Sequence, residues 1–466
     1  MSRTFNIITF GCQMNEHDSE TISGLLQQRG YVCIGEEFRR DADMVIINTC
    51  SIRENAAKRF FGTLGQMKKM KERNPEFAVC VCGCMMQQDY IITKVKQSYP
   101  WVDVIFGTHN IHEFPDMLDE MYAARGEKGN NNRSSRDTRV ARVYPDSDII
   151  VEGLPSARLY KHKSFVNIMY GCNNFCTYCV VPYTRGREKS RRLEDIIAEV
   201  SNLVADGVRE VTLLGQNVNS YKGIPGGEAS CSGQEWDFTD LIYALAETDG
   251  LDRIRFMTSH PKDLSDKLIE AFAICDKLCN YIHLPVQSGN NRVLERMNRK
   301  YTREQYLSLV RKLREAVPEI AISTDIIVGF PGETEEQFEE TLTLAEEVGF
   351  DSAFTFLFSP RIGTPAANYT EQIPEDVKHE RFNRLVDVIN LSAAECNAAY
   401  RGRVCDVLVE GFAKRGKRTL SGRTESFKLV DITLPERNMP DEFIGEIVPV
   451  RITGSNTFSL KGEIIG

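Results

Sequence analysis

The centre of the chain contains an apolar stretch that runs directly into three closely spaced cysteines, and residues 165–179 read FVNIMYGCNNFCTYC. The apolar run Phe165–Met169 predicts a strand, and the cysteines after it have the spacing C-x3-C-x2-C. Alternating strand and helix patterns continue from there to about Ala398. The candidate strands are Phe165–Met169, Glu210–Leu214, Arg253–Met257, Tyr281–Val286, Ile320–Val328 and Ala353–Phe358. Six βα units predict a partial or whole (β/α) barrel, because right-handed crossovers wind successive strands in one direction.

The N-terminal part of the chain also alternates strand and helix. Its apolar runs Phe5–Phe10, Met44–Asn48 and Phe77–Cys82 predict strands, and Ser19–Arg29 and Glu54–Arg73 predict helices. This βαβα order predicts an α/β fold with an open parallel sheet covered by helices.

The C-terminal part changes character from about Tyr400. Short strand patterns separated by turn residues predict a small all-β barrel of OB-like size. Between the first two regions, a stretch rich in glycine, asparagine and serine predicts a linker. We therefore expect an N-terminal domain at 1–123, a linker at 124–157, a central barrel at 158–398 and a C-terminal β-barrel at 399–466.

Composition narrows the class of protein. The 466 residues are 42% hydrophobic and 26% charged, which is ordinary for a globular protein and excludes a mainly disordered, collagen-like or coiled-coil chain. No run reaches the roughly 18 apolar residues of a membrane helix, and the first residues lack a secretory signal, so we expect a cytoplasmic protein. The net charge of −9 argues against a generic nucleic-acid coat protein. Fourteen cysteines in a reducing compartment indicate metal or redox chemistry.

The three central cysteines fit an iron–sulfur site. A four-iron cube takes four ligands, so three cysteines on one loop leave one iron open to a substrate. The loop follows the first barrel strand, and active sites lie at the carboxyl ends of barrel strands. A zinc site and three core cysteines are the alternatives; zinc needs a fourth nearby ligand, and His162, the histidine closest in sequence, precedes the strand.

Three further cysteines follow the three N-terminal strands. Cys12, Cys50 and Cys84 each come directly after one of them. Because parallel strands bring their carboxyl ends to one edge of a sheet, these cysteines can meet in space and form a second metal site. The alternative is three buried strand-end cysteines with no shared role, and we interpret Cys80 and Cys82, inside the strand, as core residues.

The C-x3-C-x2-C loop resembles the signature of the radical S-adenosylmethionine (radical SAM) superfamily. The resemblance implies a partial (β/α)6 barrel and a [4Fe–4S] cluster on Cys172, Cys176 and Cys179 whose open iron binds SAM. It also implies SAM contacts from residues at the strand ends, where Gln216 stands in place of a frequent acid and ordinary loop or core structure is the alternative for each. These candidates are Tyr178, Gln216, Ser259, Gln287, Gly329, Phe330 and Glu333.

Over nearly its full length the chain resembles the methylthiotransferase family. That family joins a three-cysteine domain, a radical SAM barrel and a C-terminal TRAM domain. The matching segments are GCQMN at 11–15, NTC at 48–50, GCM at 83–85 and GFPGET at 329–334. Within the family, CVVPYTRGRE at 179–188, GQNVNSY at 215–221 and MTSHP at 257–261 resemble the branch that acts on isopentenyl-adenosine in tRNA.

The resemblance implies a reaction and its partners. Cys12, Cys50 and Cys84 would hold an auxiliary [4Fe–4S] cluster that carries the sulfur to be inserted, so all six cluster cysteines count as catalytic. One SAM methylates that sulfur, and a second yields a 5′-deoxyadenosyl radical that takes the hydrogen from carbon 2 of the adenine at position 37, beside the anticodon. The implied partners are the tRNA anticodon stem-loop, a reducing electron donor such as flavodoxin or ferredoxin, and a sulfur donor, with no membrane.

Three other functions remain open. Two are family branches that modify threonylcarbamoyl-adenosine in tRNA or an aspartate of a ribosomal protein. The third is a non-catalytic, metal-stabilised RNA-binding protein.

A chain with a net negative charge that binds tRNA must have its basic residues clustered on one surface. Residues 401–428 contain eight basic and three acidic residues, which suits a phosphate-binding surface on a small β-barrel. The candidate RNA contacts are Lys414, Arg415, Lys417 and Arg418, with Arg185 and Arg187 after the central loop. A solvated hairpin tip is the alternative for the first four, and contact with SAM or the target nucleotide is the alternative for Arg185 and Arg187.

Overall fold

The computed structural model describes residues 2–51, 54–127, 138–145, 149–223, 235–414, 418–434 and 440–465. The chain divides into two compact units. The N-terminal unit comprises Met1–Leu159, Tyr170–Asn173 and Cys179–Lys189, and the C-terminal unit comprises Tyr160–Met169, Asn174–Tyr178 and Ser190–Gly466. Parts of the predicted linker, at 128–137 and 146–148, lie outside the described residues. No helix in the described ranges is long and apolar enough to cross a membrane.

The N-terminal unit contains a parallel sheet with helices on both faces. Its strands are Thr4–Phe10 (β1), Val32–Cys33 (β2), Met44–Thr49 (β3), Ala78–Cys82 (β4), Val104–Phe106 (β5) and Val140–Arg142 (β6), in the order β2-β1-β3-β4-β5-β6. Its helices are Gln13–Gln28, Glu54–Arg73, Asp89–Ser98, Phe114–Glu127 and the short Val181–Thr184. The predicted open parallel sheet is confirmed. The sequence patterns missed β2, β5 and β6, because two or three residues are too few to show a periodicity.

Burial on both faces explains the apolar central strands. Every residue of β3 and β4 is buried. Val45 and Ile47 pack with Phe60 on one face, and Ile46 and Cys80 lie in the apolar cluster of the other face. Strands covered on both faces read as continuous apolar runs, which is why the sequence predicted them well.

The central part of the C-terminal unit is the partial barrel that the alternating pattern predicted. The strands from residue 163 to residue 357 are Lys163–Asn167 (β7), Met169–Tyr170 (β8), Lys189–Ser190 (β9), Glu210–Leu214 (β10), Lys222–Gly223 (β11), Trp236–Asp237 (β12), Arg253–Phe256 (β13), Tyr281–His283 (β14), Ala321–Val328 (β15) and Ser352–Leu357 (β16). Two parallel sheets, β13-β10-β7 and β14-β15-β16, supply the barrel wall. They adjoin where Ile254 bridges to Leu278.

Helices cover the outside of this barrel. They are Leu193–Ala205, Phe238–Ala246, Asp266–Ile274, Asn291–Arg296, Arg303–Ala316, Glu335–Val348 and Glu375–Ala398. Ile254, Ile282 and Ile322 belong to the apolar cluster that also contains Leu313 and Phe338 of the helices. The alternate positions of the same strands, such as Arg255 and His283, are polar and buried, so polar side chains line the inside.

The C-terminal strands close into a small barrel. They are Val404–Phe412 (β17), Thr419–Thr424 (β18), Leu429–Thr433 (β19), Ile447–Ser455 (β20) and Leu460–Ile464 (β21), closed in the order β17-β18-β19-β21-β20. Its interior holds alternate apolar residues, among them Val407, Val430 and Val450. This confirms the predicted small β-barrel.

The small barrel is docked against the amino ends of the larger barrel's strands. At the start of β13, Arg253 donates hydrogen bonds to the Arg423 and Asp406 carbonyls, and Arg255 donates to the Thr424 and Glu425 carbonyls at 2.7 and 2.6 Å. The ring of Phe427, in the turn between β18 and β19, lies 4.8 Å from that of Tyr281. The β18–β19 turn therefore lies at the end of the barrel opposite to the loops that follow its strands.

Candidate functional site

The structure brings Cys12, Cys50 and Cys84 together at one edge of the N-terminal sheet. These residues, here called the thiol cluster, follow β1, β3 and β4. The Cys50 thiol lies between the other two and hydrogen-bonds with both. Cys80 and Cys82 point into the apolar core and are at most 1% exposed, as expected. None of the described cysteines forms a disulfide.

The electrostatics of the thiol cluster favour thiolates at its two ends. The hydrogen bond from Cys50 and the positive charge of Arg185 lower the pKa of Cys12 to about 6, against the effect of burial. The same two partners lower the pKa of Cys84, again against burial. Its two thiol neighbours and burial raise the pKa of Cys50 instead. A metal or cluster binds thiolates, so the lowered pKa values of Cys12 and Cys84 favour these two as ligands.

Arg185 is part of this thiol cluster's surroundings. Its Nε donates a hydrogen bond to Cys84 Sγ at 3.1 Å, and its Nη2 donates to Asp18 Oδ2 at 2.7 Å. Arg185, Asp18 and Cys84 are only 5%, 4% and 6% exposed. Burial lowers the pKa of Arg185, but Asp18 and Cys84 outweigh it and keep the guanidinium charged. The prediction that Arg185 contacts RNA does not fit this burial, because a phosphate cannot reach an enclosed and paired guanidinium.

A buried amide network supports the thiol cluster from below. Asn15 donates to Asn48 Oδ1 at 3.1 Å, and Asn48 donates in return to the Asn15 carbonyl at 2.8 Å and to Ser19 Oγ at 3.0 Å. Asn15 Oδ1 also accepts from the Cys12 backbone N–H at 3.4 Å. This network fixes the chain where β1 and β3 end.

Gly83 sets the position of Cys84. Its φ is +94°, and a Cβ there would lie 2.3 Å from the Thr49 carbonyl oxygen. Only glycine allows β4 to turn this closely against the end of β3.

The central cysteine loop is held by a turn that follows the helix Asn291–Arg296. Arg299 donates to Cys176 Sγ at 3.4 Å, and the Asn298 amide donates to the Asn174 and Phe175 carbonyls at 3.2 and 3.0 Å. Thr177 N–H donates to the Met297 carbonyl at 3.0 Å. Cys176 is buried, whereas Cys172 and Cys179 are partly exposed. Arg299 is thus a buried cation beside Cys176, where it would offset negative charge on a cluster bound by this loop.

Strained backbone marks the same region. Phe175, Thr258, Gln287 and Asn298 have φ between +47° and +70°. Residues held in this conformation cost free energy and concentrate at functional sites.

Sequence reasoning missed Asp18, Asn298 and Arg299, and the local sequence carries no signal for them. The signal for Asn48 was present, since it is a polar residue inside an apolar strand.

The predicted SAM contacts lie where the strands of the partial barrel end. Gln216 follows β10, Ser259 follows β13, Gln287 follows β14 and Gly329 follows β15. Tyr178 packs partly buried against the apolar cluster that contains Phe330. Phe330 itself is wholly buried between Phe358 and Tyr369, so a contact from this residue would come from its backbone.

Asn217 and Glu333 are buried hydrogen-bond acceptors at the carboxyl ends of the barrel strands, where SAM would bind. Asn217, next to Gln216, is 1% exposed, and its Oδ1 has no hydrogen-bond partner in the described part of the chain, so a donor such as the SAM amine fits there. Glu333 accepts from the Gly329 N–H at 2.8 Å, which closes the turn after β15. Burial raises the pKa of Glu333 to about 7, although Gly329 and Arg381 oppose this. Glu333 therefore supports the turn from inside.

The basic tip of the small barrel is exposed where it is described. Lys414 and Arg418 flank the β17–β18 hairpin tip, and Phe412 beside them is 51% exposed. Arg415 and Lys417 lie outside the described residues. Arg187 is exposed as well.

The donor chemistry of both cysteine groups fits iron–sulfur clusters. Each group offers three thiols, the ligands that such clusters take. Among the described residues, no three or more His, Cys, Asp or Glu side chains are already arranged around a single metal ion.

Comparison with known proteins identifies three regions. Residues 4–107 match the Uncharacterized protein family UPF0004, residues 166–345 match the Radical SAM superfamily, and residues 398–465 match the TRAM domain. Among solved structures, the radical S-adenosylmethionine methyltransferase TsrM from Kitasatospora setae has a similar fold. The TM-score is 0.53 at 15% identity, covering 79% of this chain and 77% of that chain.

Curated relatives match the whole chain. The tRNA-2-methylthio-N(6)-dimethylallyladenosine synthase of Clostridium botulinum (strain Langeland) is 50% identical over 99% of this chain and 97% of its own length. The enzyme of the same name from Alkaliphilus oremlandii is 50% identical over 100% of this chain and 93% of its own length. With its thiol cluster, its partial barrel and its closed C-terminal barrel, the chain belongs to the radical SAM family of tRNA-2-methylthio-N(6)-dimethylallyladenosine synthases.

Proposed function

We propose that this enzyme adds a methylthio group to carbon 2 of N6-isopentenyladenosine at position 37 of tRNA. It uses two SAM molecules per turnover, one as methyl donor and one as the source of a 5′-deoxyadenosyl radical. The observation that carries the proposal is the thiol cluster, which assembles a second three-thiol site in a chain that already has a radical SAM loop. The 50% identity to the named synthases over the whole chain supports the substrate.

The six cysteines would hold two [4Fe–4S] clusters. Cys172, Cys176 and Cys179 would hold the one that supplies the electron for SAM cleavage, and the thiol cluster would hold the auxiliary one that supplies sulfur. The protein's own part is to position these groups. Arg299 and Asn298 fix the central loop, and the residues at the strand ends would bind SAM.

The small barrel offers a surface for the tRNA backbone. Lys414 and Arg418 supply positive charge at the hairpin tip, and the exposed ring of Phe412 can stack on a base. The strand β18 runs from this tip to the docked β18–β19 turn, a distance of about 17 Å at roughly 3.4 Å per residue. Lys414 and Arg418 therefore lie at the end of β18 far from the docked turn, where both side chains are exposed.

Several further points belong to the proposal. We place the enzyme in the cytoplasm, with electrons from a donor such as flavodoxin or ferredoxin and replacement sulfur from a separate donor. The domain boundaries are 1–123, 124–157, 158–398 and 399–466. SAM is bound by the strand-end residues named above.

Nucleoside mass spectrometry tests the proposal. Protein reconstituted with iron and sulfide is incubated with SAM, a reductant and anticodon stem-loops that carry isopentenyl-adenosine, threonylcarbamoyl-adenosine or neither. We expect a methylthio gain on the isopentenyl substrate alone. A gain only on threonylcarbamoyl-adenosine would move the enzyme to that branch, and SAM cleavage without any gain on RNA would favour the ribosomal-protein substrate.

The role of the thiol cluster needs a matched pair of variants. Cys50→Ala should keep SAM cleavage but stop methylthio formation, because it removes the central ligand of the auxiliary site. Cys33→Ala is the control, since Cys33 is exposed on β2. Product from the Cys50 variant equal to that from the Cys33 variant would refute the proposed role of the N-terminal site.

A further inference from the structure

The segment after Cys179 reaches the N-terminal thiol cluster. In sequence, residues 179–189 follow the radical SAM motif, but in the structure they belong to the N-terminal unit. Arg185 lies in this segment, six residues after Cys179, and its Nε contacts Cys84 Sγ at 3.1 Å. One stretch of chain therefore carries a ligand of the radical SAM site and a cation of the other cysteine site.

Close backbone contacts hold this segment in place. Cys172 N–H donates to the Gly186 carbonyl at 3.1 Å, and Thr108 Oγ1 donates to the Thr184 carbonyl at 3.3 Å. Gly171 has a φ of +75°, and a Cβ there would lie 2.0 Å from the Arg187 carbonyl oxygen. The position of Arg185 thus follows from the fold of the loop.

Asp18 orients the Arg185 guanidinium. The planar fork of an arginine presents its donors in fixed directions, so the 2.7 Å hydrogen bond from Nη2 to Asp18 also aims Nε at Cys84. Both charges are enclosed, with side chains 4% and 6% exposed. Water screens them little at this depth, so each acts strongly on a charge beside it.

We infer that Arg185 is a positioning residue for the auxiliary cluster. It contacts the ligand Cys84, and its positive charge offsets the negative charge of the cluster. Asp18 aims the guanidinium, and its own negative charge repels that of the cluster. This inference rests on the proposed function, since it requires an iron–sulfur cluster bound by Cys12, Cys50 and Cys84. It assigns Arg185, which follows the radical SAM cysteines in sequence, to the thiol cluster. The family resemblance did not place it there.

The inference predicts two opposite shifts in reduction potential. Reduction adds an electron, so the loss of a nearby cation disfavours the reduced cluster and the loss of a nearby anion favours it. Arg185→Gln should make the potential of the auxiliary cluster more negative, and Asp18→Asn should make it more positive. We expect each to change the reduction equilibrium about tenfold, which is about 59 mV for a one-electron couple.

The measurement is a redox titration followed by electron paramagnetic resonance. It uses the full chain with Cys172, Cys176 and Cys179 replaced by alanine, so that only the auxiliary cluster contributes a signal. Arg185→Lys should keep the potential close to that of the parent, because it retains the charge. Arg192→Gln is the control: its side chain is 63% exposed, and its loss should leave the potential unchanged.

Each outcome decides something. Shifts of the same sign in Arg185→Gln and Asp18→Asn, or no shift in either, would overturn the inference. If Arg185→Gln loses its iron, cluster retention in Arg185→Lys supports the role of the charge, and equal loss in both variants overturns it. A parent protein that holds no auxiliary cluster would instead refute the proposed function itself.

Discussion

Arg255 is one of two buried arginines that hold the small barrel in place, and its replacement gives a quantitative prediction. Arg255 Nε lies 2.9 Å from Glu210 Oε2, and the two side chains are 2% and 4% exposed. The same guanidinium donates to the Thr424 and Glu425 carbonyls of the docked turn. Arg255→Met keeps much of the volume but leaves Glu210 and both carbonyls without this donor.

The free-energy cost of Arg255→Met follows from the burial of the Arg255–Glu210 ion pair. Removing one partner of a buried ion pair costs about 3–5 kcal/mol, because it leaves an uncompensated charge. Arg253 Nη1 lies 3.9 Å from Glu210 and offers partial compensation, which favours the lower end of that range. At about 1.4 kcal/mol per factor of ten, a loss of about 3 kcal/mol raises the population of the undocked turn roughly 100-fold.

Hydrogen exchange of the docked turn measures this opening. The amides of Thr424, Phe427 and Lys428 are hydrogen-bonded within the turn, so they exchange when the turn opens locally, which its docking on Arg255 opposes. We expect a peptide covering them to exchange about 100-fold faster in Arg255→Met. Arg403→Met is the matched control: Arg403 pairs with Glu319 at 2.6 Å, but the side chains are 42% and 71% exposed, and such pairs contribute about 1 kcal/mol at most. Exchange rates within about fivefold of each other in the two variants would refute the assignment of docking to Arg255.

Three further predictions concern the sites. Gly83→Ala should lower the iron content of the reconstituted protein, because its Cβ meets the Thr49 carbonyl, whereas Gly62→Ala, with open space around it in a helix, should leave iron content unchanged. Burial raises the pKa of Glu333 to about 7, above about 4.3 in the unfolded chain, so its protonated form favours the fold and stability falls as pH rises between these values. Glu333→Gln should remove that loss, which thermal unfolding at pH 5 and pH 8 will measure. Neutralising the basic tip should weaken tRNA binding and flatten its salt dependence by about 0.7–0.9 in slope per lost phosphate contact; the residues are Lys414, Arg415, Lys417 and Arg418.

Each of these has a contrary result. Equal iron in the Gly83 and Gly62 variants would show that the turn tolerates a side chain. Parallel pH profiles for the wild type and the Glu333 variant would show that this carboxyl does not titrate in the window. Unchanged RNA affinity and salt slope would remove the basic tip from the tRNA surface.

The sequence by itself determined the longer strands, the order of the folds and the grouping of the cysteines. The apolar run Met44–Asn48 gave a clear signal because burial on both faces of a strand acts on every residue in it. The meeting of Cys12, Cys50 and Cys84 also followed, since parallel strands end on one edge. Strands of two or three residues, such as Val104–Phe106, were too short to predict.

Only the tertiary structure decided which charged residue lies beside which cysteine. Arg185 is 101 residues from Cys84 and 167 from Asp18, and Arg299 is 123 from Cys176. No periodicity or spacing in the local sequence reports such pairs, because a pattern shows which face of an element is buried but not what covers it. The same holds for Arg255, whose partners in the docked turn lie about 170 residues further along the chain. Their roles come from packing, which brings distant charges together where water cannot screen them.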